Sequence, residues 1–178
     1  MDENFVPPKY LTPELVEAAM DFAYRTVLGK NENALFPEEN PFSHSNCHIV
    51  VLVPALNADD GKWPNYLMRA HPFQKSFGED RMTWKRPYDE IAQCKAYQLW
   101  TNRNNGQPCI IPQLLFRGDT PFWGGVCRDG IVVACSGQPQ HIDRLISGIA
   151  DTIQALAVIA YESDPDHPAR NEALNFLT

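Results

Sequence analysis

FWGGVCRDGIVVACSG, residues 122–137, joins two apolar runs through the pair Asp129-Gly130. Such a pair predicts a β-hairpin, because tight hairpin turns demand positive φ and glycine accepts it without steric cost. Strands are expected near 122–127 and 131–136. The paired glycines 124 and 125 have two readings. They suit a closely packed central strand, or a wall where a ligand approaches the backbone. Cys127 and Cys135 flank the turn and could face each other across it, as reduced core thiols or as a redox pair.

Outward from this hairpin, the chain alternates hairpins with helices. Thr12 can cap a helix that Pro13 begins and Gly29 stops, with Leu15, Ala18, Ala19, Phe22, Ala23, Thr26 and Val27 at helical spacing. Residues 30–47 read as a long loop. HIVVLVPAL (48–56) is β-branched and continuously apolar, as a strand buried on both faces would be. NYLMRAH (65–71) reads as its hairpin partner, and 72–86 as a mixed loop. RPYDEIAQCKAYQLWTN (86–102) is helical after Pro87, and NNGQP (104–108) breaks it. LLF (114–116) is a short strand candidate. The stretch 141–163 forms one long apolar helix, whose Gly148 suits a close approach to a sheet. Helix, hairpin, helix, short strand, hairpin, helix predicts an α+β domain: an antiparallel sheet covered by helices. No GxGxxG or P-loop pattern follows any strand.

The chain has 178 residues, enough for a single domain over 1–178, with a core at about 11–160 and a C-terminal extension at 161–178. A net charge of -7 without any basic run argues against nucleic acid as a partner. No uninterrupted apolar run, ALAVIAY at 155–161 included, approaches the length of a membrane span, so no membrane partner is expected. The start, MDENFVPPKY, carries no secretory pattern, which predicts a soluble cytoplasmic protein. Five cysteines, at 47, 94, 109, 127 and 135, include no CxxC pair and are expected as free thiols.

The succession LTPELVEAAMDFA, HIVVLV, IAQCKAY, FWGGVCRDGIVVACSG and a closing helix with an early Asp143 resembles the GlcG/HbpS-like family, the haem-degrading or PduO C-terminal-like domain. The positions that carry the likeness are Lys95-Ala96, Gly124-Gly125-Val126, Asp129-Gly130, Cys135-Ser136-Gly137 and Asp143. The resemblance spans about 11–160. It implies a profilin-like three-layer α/β/α sandwich with a central antiparallel sheet, a tendency to form homo-oligomers, and haem or a related tetrapyrrole as ligand. The chain departs from the family pattern at PALNADDGKWPN and in having Cys135 before Ser-Gly. An axial ligand does not transfer by motif.

Several residues could carry chemistry. His141 opens the last helix and could ligate iron or move a proton; it could equally face solvent. Asp143 suits both catalysis and the helix dipole. Lys95 lies among apolar neighbours with its head free to reach a carboxylate or a ligand. Arg69 and His71 share one face of a strand and could form a cationic patch for an anionic ligand. Phe122 and Trp123 could line an apolar slot, with Gly124 and Gly125 as its backbone wall. His44 and His48 flank Cys47, but no further ligands follow and no metal is expected.

Three functions compete. The first is a small-ligand-binding module for haem or a related molecule. The second is a cofactor-independent isomerase, cyclase or lyase acting on a small aromatic or carbonyl compound. There, His141 or Asp143 moves a proton and Lys95 or Arg69 stabilises an oxyanion. The third is a structural homo-oligomer without a ligand.

Overall fold

A computed structural model describes residues 5–29, 34–35, 45–57, 68–108 and 112–166. Helix α1 spans Pro13–Val27. Thr12 Oγ1 accepts from the Leu15 amide at 3.3 Å, satisfying one of the donors that a helix start leaves open. Its buried stripe is Val16, Ala19, Met20, Ala23 and Val27, whereas Phe22 is exposed. Of the expected face, Ala19, Ala23 and Val27 are buried and Leu15 packs against the core, whereas Ala18 and Phe22 are exposed; Val16 and Met20 complete the stripe. Thr12→Ala should cost about 1 kcal/mol by loss of the cap, read as a lower urea midpoint with an unchanged slope.

Strand β2 (Cys47–Asn57) is the centre of an antiparallel sheet. It pairs with β3 (Met68–Phe77) along one side. On the other it pairs with β5 (Ile131–Ser136), and β4 (Gly125–Arg128) pairs beyond β5. The two-residue β1 (Phe5–Val6) pairs with the end of β2 at Leu56 and Asn57. The fold class is α+β. Ile49, Val51 and Val53 alternate with Val50 and Leu52, as a period of two requires. The first set packs with α1, α3 (Gln140–Ser147) and α4 (Ile149–Ser163). The second packs with Ala92, Ala96 and Leu99 of α2 (Tyr88–Trp100). Both faces of β2 are thus buried, which explains its unbroken apolar sequence.

Four expectations change here. The presumed loop after residue 71 is strand as far as Phe77, paired only with β2 at the sheet edge, where strands tolerate a proline such as Pro72. The strand candidate 114–116 is not a strand: Pro112–Leu114 is a 3-10 turn, and residues 115–116 take no regular structure. The closing helix is two, joined at Gly148; an added Cβ there would meet Leu145 O at 3.0 Å and Arg144 O at 3.9 Å, atoms of its own helix and not of the sheet. Lastly, Cys127 opposes Val132 and is exposed, while Cys135 opposes Ile49 in the core, so the two thiols do not face each other.

The hairpin turn itself is as read, with φ of 47° at Asp129 and 83° at Gly130. Taken together, Gln140–Ser163 is the one stretch among the described residues long and apolar enough to cross a membrane by length and composition. Its Ile142, Ile146, Ile149 and Ile153 are core residues, whereas Leu145, Val158 and Ile159 are exposed.

Candidate functional site

Two buried charges meet where α2 approaches the start of α3. Lys95 and Asp143 have side chains only 2% exposed each, and Lys95 Nζ donates to Asp143 Oδ2 at 2.8 Å. A second Nζ bond goes to the Cys135 carbonyl at 2.9 Å. The other carboxylate oxygen, Oδ1, accepts from the Gln138 amide at 3.0 Å. Every contact here depends on the hairpin-to-helix exit, because Cys135, Gln138 and Asp143 lie within nine residues of one another along the chain. Burial raises the Asp143 pKa to about 6, against the opposing pull of the Lys95 charge and the hydrogen bonds to Lys95 and Gln138. A carboxyl so placed can hold or release a proton near neutral pH.

The glycine pair brings the elements this close. A Cβ on Gly124, whose φ is 113°, would sit 2.6 Å from Gln140 O and 3.0 Å from Asp143 Cβ. One on Gly125 would sit 2.2 Å from Leu99 Cδ1. Helices, not a ligand, occupy the bare faces of both glycines. Ser147 Oγ, donating within 3.0 Å of Gly124 O and 2.7 Å of Asp143 O, completes the seam.

Lys95 and Asp143 border a cavity of about 460 Å³. Tyr88, Ile91 and Phe122 give it apolar walls, Arg86 a second cation, and Ser136, Gln138 and Gln140 polar groups. The Arg86 guanidinium lies 5.8 Å from the centre of the Phe122 ring. The volume falls within the range usual for small-molecule sites, roughly 300–1,000 Å³.

Of the residues singled out in the sequence, Lys95, Asp143 and Phe122 come together at this cavity. His141 is exposed and is not among its lining residues. Trp123 is half-buried but does not line it. Arg69 and His71 oppose Ala55 and Val53 on β2, whereas Ser136 of the cavity opposes His48. At about 3.3 Å per residue that separates them from the cavity by roughly 16–23 Å along the sheet. They form no part of this site.

His44 and Cys109 lie outside the described residues. Among the described residues no group of three or more His, Cys, Asp or Glu could hold a metal ion. Arg86, Tyr88, Gln138 and Gln140 carried no motif of their own. Only their nearness to the start of a helix, Pro87 or Pro139, marks them in the sequence.

Comparison of the chain with known protein families, with curated proteins and with solved structures finds no match.

Proposed function

We propose that the protein binds a small organic anion in the cavity bordered by Lys95 and Asp143, as a module of the GlcG/HbpS-like type on a profilin-like three-layer sandwich. The buried ion pair at the cavity carries this reading. Removing two charges from water costs several kcal/mol per ion unless geometry and extra hydrogen bonds compensate, and apolar residues would fill the space at no such cost. A pair retained at a cavity is accounted for by a ligand that uses it. Arg86 adds the charge that attracts a carboxylate, and the Phe122 and Tyr88 rings accommodate an apolar body.

Haem fits these residues poorly. Among the described lining residues Tyr88 is the side chain of a type that serves as an axial ligand, and the expected ligand His141 is exposed on α3 and is not among them. A smaller ligand suits the cavity better.

Phenylpyruvate is a suitable first probe, having one carboxylate, one ring and acidic C–H bonds next to a carbonyl. Calorimetric titration should give saturable binding, weakened at least about tenfold by Arg86→Gln or by Phe122→Ala. Unsaturable heats, or equal affinity in both variants, would move the ligand site elsewhere.

Proton transfer is a second reading, favoured by the Asp143 pKa of about 6 beside the Lys95 ammonium. Ionised Asp143 would take the proton next to the carbonyl, and Lys95 would stabilise the enolate oxygen. In D2O the protein should then speed deuterium uptake at that carbon above the spontaneous rate. Asp143→Asn should return it to background; an unaltered rate with the wild-type protein leaves binding alone.

A further inference from the structure

The anion site at Lys95 has a carboxylate of its own on its border. Asp143 reaches the cavity from α3 and Lys95 from α2, and Arg86 lines it from the chain just before α2. The side chains of the pair are 2% exposed each, so little water screens Asp143 from a charge placed in the cavity. A ligand anion without hydrogen-bond donors acts on this carboxyl in two ways. Its charge repels the carboxylate, and its body expels water from the cavity wall. Both favour the neutral acid. The sign of the effect therefore holds for any pose in the cavity, and only its size depends on distance.

The groups around Asp143 leave it as the acceptor of that proton. From α2 comes the Lys95 ammonium, with Tyr88 and Arg86 on the same cavity; the two cations act with or without a ligand. From β5 the Cys135 thiol lies beside the carboxyl, with Cys47 of β2 next to it. Burial pushes the Cys135 pKa well above its ordinary value, so this thiol already holds its proton near pH 7. His48 of β2 opposes Ser136, and burial lowers its pKa. On α3 itself, His141 is exposed and Arg144 donates to Gly106 O at 3.1 Å. Asp143, with a pKa of about 6, is ionised at pH 7 yet close to taking up a proton.

We propose that the cavity is a proton-coupled anion site, in which Asp143 takes up a proton as the ligand's carboxylate enters. The inference rests on the binding reading above and adds its regulation: acidification tightens binding, and a rise in pH releases the ligand. In the complex Asp143 is ionised, and free to act as a base, only above its raised midpoint.

Phenylpyruvate, in its keto form an anion without donors, is titrated calorimetrically into the full chain at pH 7 in HEPES, imidazole and Tris. These buffers differ in heat of ionisation, and the slope of apparent enthalpy against that heat gives the number of protons taken up. A rise of one unit in the Asp143 pKa corresponds to about 0.4 proton per ligand at pH 7, and to binding about tenfold tighter at pH 5 than at pH 8. At least these effects are expected. The ¹³C signal of the Asp143 carboxyl should titrate at higher pH in the complex than in the free protein. Asp143→Asn should bind without proton uptake, and His48→Gln should keep the uptake. If Asp143→Asn does not fold, the carboxyl signal of the wild-type protein decides. Saturable binding with an unmoved Asp143 signal overturns the inference and leaves the binding reading standing. Uptake that survives Asp143→Asn overturns it as well. Absence of saturable binding removes both.

Discussion

Lys95→Met should lower the stability of the protein by about 3–5 kcal/mol at pH 7, because it leaves the Asp143 carboxylate buried without its counter-charge. The double variant Lys95→Met, Asp143→Leu should recover most of that loss, since two apolar side chains need no compensation. Urea denaturation of the four proteins in the cycle measures both statements. A loss below about 1 kcal/mol in the single variant would mean that water reaches the pair in solution.

The same pair sets a pH dependence with a definite sign. Asp143 has a pKa of about 6 in the folded protein, against about 3.9 for an aspartate in an unfolded chain. Between those values the folded state holds a proton that the unfolded chain has released. Its contribution to stability is complete below about pH 4 and is lost as the pH rises through 6. Two pKa units correspond to about 3 kcal/mol. Relative to Asp143→Asn, the wild-type protein should therefore lose about 3 kcal/mol between pH 4 and pH 7. Lys95→Met should push the Asp143 pKa higher still, so its penalty should shrink when the pH is lowered to about 5. Parallel pH profiles for wild type and Asp143→Asn would remove Asp143 as the titrating group.

Gly124→Ala is the second large effect. A methyl group there would meet the Gln140 carbonyl oxygen at 2.6 Å, in a backbone conformation that side chains rarely adopt. Neither the strand nor the start of α3 can yield without loss, since Ser147 Oγ ties Gly124 O to Asp143 O. A loss of about 3 kcal/mol is expected, from strain and displaced packing together. The site should suffer with the fold: α3 moves away from β4 and carries Asp143 off Lys95. A thermal melt, with an NMR titration of the carboxyl, reads both. If Gly124→Ala kept full stability and lost only ligand binding, the ligand-wall reading of this glycine would return.

The α1 cap at Thr12 and the Asp-Gly turn were legible because each depends on contacts within a few residues, and β2 because burial of both faces leaves an unbroken apolar run. A turn that needs positive φ, or a helix start that needs an acceptor, writes its requirement into neighbouring positions. Sheet edges and helix joints were less legible. The stretch from Pro72 reads as a loop, and only the pairing of β3 at the sheet edge shows that it continues the strand. Gly148 likewise gives no sign of whether a helix bends there or packs closely.

Lys95, Asp143 and Phe122 were marked as candidates from the sequence. The resemblance singled out Lys95 and Asp143, but nothing in the sequence showed that they meet each other and Phe122 while His141, Arg69 and His71 stay apart. That division came from register and helix packing: residues 95 and 143 lie 48 positions apart in the chain, and α2 and α3 bring them to 2.8 Å. Arg69 and His71 are separated from the same place by the length of β2. The sequence by itself determined the local conformations and the α+β class, because backbone sterics and hydrophobic period act over short distances. Only the tertiary structure decided which charges lose their water and which keep it, because desolvation depends on what packs around a group from every side.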